Sequence, residues 1–417
     1  MDFELTDGQR ALQSATTAFA RERLGRDTAG DDREERFPRA DWQRCARHGV
    51  LGWPVPAEYG GSGLDPLSTM IALEALGYGC RDNGLVFAIN NHLWGCAVYL
   101  LEHGSEEQKK RFLPAMCSGD LIGAQALSEP EAGSDVLALT TRARREGDRY
   151  VLDGEKWFIS NGPVADLFVV FARTGDEGAP EDRLSAFLVP ADLPGVRTVR
   201  QLSKLGLRST PMGVVAFEGV SVPAANLLGT EGAGYQIFLS SIEWERSFMF
   251  AGHVGAMQRL LETSVDHVTS RRQFGRQIGS FQGVAHEIAD MRIRLELARL
   301  MLYKVGWLKS RGRMALLEAT ITKIVASEGL ARTAMAALEV HGARGYLADW
   351  QLERELRDAL GGPIYAGANG IHRGVLAELM GLTGSLSGTV PARRPRPTRP
   401  TDAAAAATAG PTDGGRP

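Results

Sequence analysis

The chain has 417 residues, with 47 Lys+Arg against 50 Asp+Glu and a formal net charge of -3. That length allows two to four domains of about 100–200 residues each, and 44% apolar with 23% charged residues suits a soluble globular protein. The even charge excludes a basic nucleic-acid-binding surface as the main feature. Four scattered cysteines (Cys45, Cys80, Cys96, Cys117) without CxxC spacing argue against a disulfide scaffold and a cysteine zinc site. The polar, acidic start MDFELTDGQR predicts no signal peptide. No run of 18 apolar residues marks a membrane span, so a cytoplasmic protein with no membrane partner is expected.

Residues 1–120 read as helices. Leu5–Leu24 is long and amphipathic with Thr6 and Asp7 as candidate caps. Further helices are predicted over Asp41–Gly52, Leu67–Leu76, Leu85–Leu101 and Ser105–Met116. Leu85–Leu101 is almost wholly apolar, which predicts a buried helix. Residues 121–228 change to period two with turn signals between runs: Arg149–Gly154, Leu167–Ala172, Leu184–Val189 and Val214–Val222. This is an antiparallel β domain. Helical periodicity returns over 229–382, in Tyr235–Ser270, Phe281–Ser310 and Met314–His341, then near Leu352–Leu360 and Asn369–Leu382. Long adjacent helices bundle. Residues 383–417 are rich in Pro, Ala, Gly and Thr and predict a disordered tail. Its five arginines suit either an acidic partner or simple solvation. The chain is therefore mostly α with a central β domain.

The common catalytic vocabulary is missing. No GxGxxG follows a strand, and no phosphate-cradling GxxxxGK[ST], HExxH or GxSxG occurs. The histidines are dispersed, so no metal site is expected. Four features remain. In GAQALSEPEAGSD (123–135), Gly133-Ser134 can bring backbone N–H groups and a hydroxyl to an anion, or form a plain turn. In KWFISNG (156–162), Trp157 and Phe158 point to opposite faces of a strand, so one can cover a planar ring while the other enters the core. Glu245 shares a helix face with Phe238, Ser241, Ile242, Phe248 and Met249. Burial would raise its pKa and make it a general base near neutral pH; a salt bridge to Arg246 or another helix is the alternative. Arg271, Arg272 and Arg276 form a positive patch suited to a phosphate-bearing ligand or to solvent.

Taken together and in order, these segments resemble the acyl-CoA dehydrogenase flavoproteins. ALSEPEAGSD (Ala126–Asp135), KLGLRST (Lys204–Thr210), VPAANLLG (Val222–Gly229) and RRQFGRQI (Arg271–Ile278) carry the resemblance. So does EVHGARGY with Asp349, Arg354 and Asp358, although Glu339 and Ala343 replace the usual Gln and Gly. The resemblance implies an N-terminal helical domain, a middle antiparallel β-barrel domain and a C-terminal four-helix bundle, with FAD between the last two. It implies that Gln125, Leu127 and Ser128 line the isoalloxazine ring, Gly133 and Ser134 the pyrophosphate, and that Phe158, Ile159 and Ser160 pack on and bond the ring. Arg271, Phe274, Phe281 and Gln282, with the Glu339–Gly342–Ala343 turn, would reach the FAD of a neighbouring subunit. A homo-oligomer, usually a tetramer, follows.

Where many members carry their catalytic glutamate, in Y-E-G-T, this chain has Tyr365-Ala366-Gly367-Ala368. Ala366 cannot abstract a proton, and Ala368, near Gly370, lacks a flavin-contacting hydroxyl. A minority of members place the base before an arginine on the first long bundle helix, where Glu245-Arg246 stands. Ala366, Gly367 and Arg246 would then border the substrate. Cys80–Leu93, Ile242–Arg246 and Arg299–Trp307 look most like dehydrogenases acting on prolyl groups held by peptidyl carrier proteins. The expected activity is FAD-dependent α,β-dehydrogenation of an acyl thioester, on CoA or a carrier-protein pantetheine arm. Glu245 takes the α-proton, the thioester oxygen meets the Ala366 N–H, and electrons leave to an electron-transfer flavoprotein or oxygen. A flavin oxidase or hydroxylase and a non-catalytic interaction protein are the alternatives.

Overall fold

The computed structural model describes residues 4–382; the predicted tail lies outside the described residues. The first helix, α1 (Asp7–Arg23), starts at Thr6, whose hydroxyl takes the Gln9 N–H while the Gln9 side chain accepts from the Thr6 N–H. A short polar helix absent from the sequence reading, α2 (Thr28–Glu34), follows under an Asp27 cap. Helix α3 (Arg39–Arg47) is shorter than expected because Gly49, at φ +83°, turns the chain into a 3₁₀ segment over Val50–Gly52. Helix α4 (Pro66–Gly79) is capped by Asp65 with proline at its first position.

The predicted apolar helix is buried and continuous in course but not uniform. It comprises α5 (Asn83–His92), a π-helical turn over Leu93–Ala97, and α6 (Val98–His103). Its length and composition would let it cross a membrane, yet the protein surrounds almost all of it. Helix α7 (Glu106–Cys117) begins at a Ser105 capping box.

One sheet follows, with strands β1 (Gly123–Ala126), β2 (Arg142–Glu146), β3 (Arg149–Ser160), β4 (Leu167–Arg173), β5 (Leu184–Pro190), β6 (Val196–Gln201), β7 (Met212–Pro223) and β8 (Leu227–Leu228). The order is β6-β7-β3-β2-β4-β5-β8, and β1 joins β4. Most pairs are antiparallel. Against the expected antiparallel barrel, β1 and β2 pair with β4 in parallel, and the pairing order is an open path. Strand β3 bulges against β7 between Lys156 and Ile159, which matters for the site.

The expected single helix Tyr235–Ser270 is two helices, α8 (Gly234–Glu245) and α9 (Ala251–Ser270), separated by a 3₁₀ turn over Phe248–Phe250. The Ser247 hydroxyl donates back to the Glu243 carbonyl, competing with the helical ladder. Phe248 and Phe250 are then both fully buried, Phe248 against Trp94 and Phe250 against Tyr365. Glu245 thus ends a helix instead of lying within one, and Phe248 and Met249 leave its helical face. A two-residue hairpin, β9 (Arg272–Gln273) with β10 (Arg276–Gln277), leads to α10 (Gln282–Lys309) and α11 (Leu316–His341). Short helices α12 (Ala343–Tyr346), α13 (Leu352–Ala359) and α14 (Asn369–Leu379) complete the described chain.

The two helical stretches share one hydrophobic core. Trp42, Leu73 and Leu76 lie in the same buried cluster as Leu260, Leu295 and Leu330. Helices α9, α10 and α11 pack together, and α4 joins them against α9 and α10. Two glycines permit the α4–α9 crossing. A Cβ on Gly77 would sit 2.3 Å from the Gly252 carbonyl oxygen, and one on Gly255 would sit 2.1 Å from that of Glu74. Arg354 and Asp358, singled out in the sequence, belong to a buried polar group that ties α13 to the 204–210 segment. Asp358 accepts the Leu207 N–H at 2.5 Å, and Arg354 donates to the Arg81 carbonyl at 2.8 Å.

Candidate active site

The α5–α6 helix is the post to which every wall of the site is fastened. Tyr99, two residues past the π-helical segment, is wholly buried, and its hydroxyl lies 3.0 Å from Glu245 Oε1. That hydroxyl accepts from Ser241 Oγ at 2.6 Å and from Gln125 Nε2 at 2.7 Å. Ser241 Oγ and Gln125 Nε2 also approach Glu245 Oε1, at 3.1 and 3.2 Å. Gln125 fits because Gly95, in the π turn, has no side chain. A Cβ there would come within 3.3 Å of the Gln125 Cβ.

Glu245 is buried, and burial raises its carboxyl to about 6 against the pull of these donors and of Arg246. It is ionised at neutral pH and close enough to its pKa to accept a proton. Burial also drives the Tyr99 phenol upward, the neighbouring carboxylate adding to it, so the tyrosine keeps its proton. Arg246 is buried without a carboxylate in ion-pair range among the described residues, and burial brings it down to about 10. Its Nε has no hydrogen-bond partner among the described residues.

A second wall comes from the 127–134 segment and the end of β3. The bulge puts Phe158 at φ +62° and leaves its ring 54% exposed. Trp157 lies half-buried with the Arg200 guanidinium 5.0 Å above its ring. Neither aromatic enters the core; Lys156 and Ile159 do, so Ile159 reaches a ligand only through its backbone. The hydroxyls of Ser128, Ser134 and Ser160 have no partners among the described residues, and Gly133 faces open space. An exposed aromatic face beside free hydroxyls and an open glycine turn fits FAD.

This wall is held by a pair that sequence reasoning missed. Lys156 Nζ, fully buried, donates to Glu129 Oε1 at 2.8 Å and to the Leu127 carbonyl at 2.9 Å. Burial alone would raise Glu129, but Lys156 and the Thr140 and Thr141 donors hold it at about 2. Asn161 fastens the same strand end to α5 through the Ala88 carbonyl at 3.0 Å. Tyr99 was missed as well. A hydroxyl in a helix buried on all sides needs a partner, and that was the available signal.

The third wall is the 365–370 segment. Tyr365 packs on Phe87 of α5 and on Phe250. Ala366 adopts φ +51°; its carbonyl is 2.9 Å from His372 Nε2, and its N–H has no partner among the described residues. Gly367 and Gly370 are exposed, and Ala368 caps α14. Buried His372 is neutral, burial and then the nearby Arg246 and Lys323 lowering it to about 3.

The remaining residues lie elsewhere. Phe274 stands at the tip of the β9–β10 hairpin, 92% exposed, with Phe281 beside it and Arg276 over the Phe281 ring. Arg271 and Gln282 flank that hairpin, and Glu339, Gly342 and Ala343 form an exposed turn next to it, joined through the stacked His267 and His341. No hydrogen bond or ring contact among the described residues joins this end to Glu245. The site is therefore two clusters within one chain.

Residues 6–120, 124–220 and 232–381 match the N-terminal, middle and C-terminal domains of acyl-CoA dehydrogenase. The chain is 40% identical over 383 residues to an L-prolyl-[peptidyl-carrier protein] dehydrogenase of Pseudomonas fluorescens, covering 92% of this chain and all of the relative. Among solved structures, the prolyl acyl carrier protein oxidase AnaB superposes with a TM-score of 0.88 at 44% identity, covering 91% of this chain and 100% of that one. PigA with FAD and proline gives a TM-score of 0.89 at 34% identity, over 92% of this chain and 100% of that one. A three-domain match of this extent, with a relative at 40% identity, places the chain in the acyl-CoA dehydrogenase family of FAD-dependent oxidoreductases.

Proposed function

We propose that the chain dehydrogenates an acyl thioester with Glu245 as the base, and that the acyl group is prolyl, carried on a carrier protein's pantetheine arm. The carrying observation is Glu245 itself: a buried carboxylate at about 6, gripped through one oxygen, while the alternative base position is Ala366. The carrier-bound prolyl group is supported by the names of the 40% and 44% identical relatives. FAD, when bound, supplies the two-electron acceptor for the hydride. The chain's own residues do the rest. Glu245 accepts the α-proton. The partnerless Ala366 N–H is free to donate to the thioester oxygen as negative charge builds there. Phe158, Ser128 and Ser160 offer the flavin a face and hydrogen bonds.

The 271–282 hairpin and the 339–343 turn support a homo-oligomer in which they complete a neighbour's cofactor site. Oxygen as the electron acceptor is a second reading, favoured by the oxidase AnaB; rapid reoxidation of reduced enzyme by air supports it. The test of the main reading is anaerobic flavin bleaching with L-prolyl carrier protein and a panel of acyl-CoA thioesters. Wild type is expected to bleach fastest with the prolyl carrier. Glu245→Gln is expected to keep FAD and lose at least the 10²–10⁴-fold typical of a general base. Wild-type bleaching by Glu245→Gln overturns the base, and faster bleaching by acyl-CoA overturns the substrate.

A further inference from the structure

The Glu245 carboxylate is held asymmetrically. Tyr99, Gln125 and Ser241 all converge on Oε1, and Oε2 has no partner among the described residues. The protons can be counted. Tyr99 has one, and its oxygen already accepts from Ser241 and Gln125, so that proton is committed to Glu245. Gln125 Nε2 stands 2.7 Å from the Tyr99 oxygen and 3.2 Å from Oε1, which are themselves 3.0 Å apart, so one amide proton is shared between the two. The single Ser241 proton goes to Tyr99 at 2.6 Å, its shortest contact, ahead of the Phe238 carbonyl at 3.0 Å and Oε1 at 3.1 Å. Tyr99 is therefore the hub: without it, two donors lose their common acceptor and Oε1 loses its best-committed donor.

We propose that Tyr99 is a positioning residue for Glu245: with Gln125 and Ser241 it clamps Oε1 and leaves Oε2 as the atom that takes the substrate proton. This rests on Glu245 being the base. The π turn at Leu93–Ala97 serves the same end. One extra residue in a helix rotates everything after it by about 100°, so the insertion decides which face of α6 carries Tyr99. The clamp also acts on basicity. Hydrogen bonds to a carboxylate favour its ionised form, opposing burial. Charged and titratable groups on the elements packed around α8 are Tyr99, Glu102 and His103 on α6, and Glu181, Asp182 and Arg183 before β5. Toward the α8 end of α11 stand Glu318 and Lys323, and Arg246 follows Glu245 directly. Of these, Tyr99 and Arg246 act most strongly on the Glu245 carboxyl, both favouring its ionised form.

The experiment measures anaerobic flavin reduction against pH in wild type, Tyr99→Phe, Ser241→Ala and Glu245→Gln holoenzymes, using the thioester that bleaches wild type best. FAD absorbance and melting temperature are followed alongside. Wild-type reduction should rise with pH through about 6, as Glu245 ionises. Tyr99→Phe removes a donor to the ionised form, so its acid limb should move up by about one pH unit, with FAD content kept. Ser241→Ala should move it the same way by less, and carries the test should Tyr99→Phe misfold. An unmoved limb in the folded variants overturns the clamp. Wild-type reduction by Glu245→Gln instead overturns the base assignment on which the clamp rests.

Discussion

At the scale of single residues, the wall formed by the 127–134 segment and the end of β3 depends on one ion pair. Lys156 and Glu129 are both almost inaccessible, and each is the other's countercharge. Removing one partner of such a pair leaves a buried charge uncompensated, at a cost of about 3–5 kcal/mol. Glu129→Gln is therefore expected to lower the melting temperature by several degrees and to reduce FAD content. Lys156→Met in that background should recover part of the loss, because the stranded charge is gone. Thermal denaturation with flavin absorbance checks both. Glu129 and Lys156 stand inside the two motifs read from sequence, but their pairing is tertiary and leaves no periodic trace. Glu245 was legible because a carboxylate among Phe238, Ser241 and Ile242 violates an apolar stripe. Tyr99 passed as one more core aromatic, since only its partners reveal its hydroxyl's task.

At the scale of elements, the α4–α9 crossing is set by backbone-to-backbone approach. Gly77→Ala would drive a methyl into the Gly252 carbonyl, at a separation no real contact allows. Overpacking of this kind costs about 1–3 kcal/mol or more, and a lowered urea midpoint is expected with an unchanged slope. The long helices and hydrophobic strands were legible because periodicity is strong where one face is buried. What escaped has physical reasons. Helix α2 is short and polar, so a cap decides it. Strand β6, VRTVRQ, is an exposed edge with no apolar alternation. The π turn shifts hydrogen bonds without altering composition. The break after Glu245 was hidden because Phe248 and Phe250 continue the apolar texture while the backbone changes course.

At the scale of the whole molecule, α10 presents Ile293, Leu297 and Leu300 to the outside at helical spacing, each about half exposed. Such a stripe, with Phe274 bare at the hairpin tip, fits burial against another copy. On the proposed homo-oligomer, Leu297→Glu is expected to lower the mass in light scattering, with FAD content falling as the hairpin of a neighbouring copy is withdrawn. Within one chain, the shared helical core has a temporal consequence. Leu73 and Leu76 are synthesised early, but their partners Leu260, Leu295 and Leu330 emerge from the ribosome only after the entire sheet. The nascent N-terminal helices therefore expose the part of their apolar face meant for α9–α11 for nearly two hundred further residues of translation, the interval in which such a surface is open to aggregation.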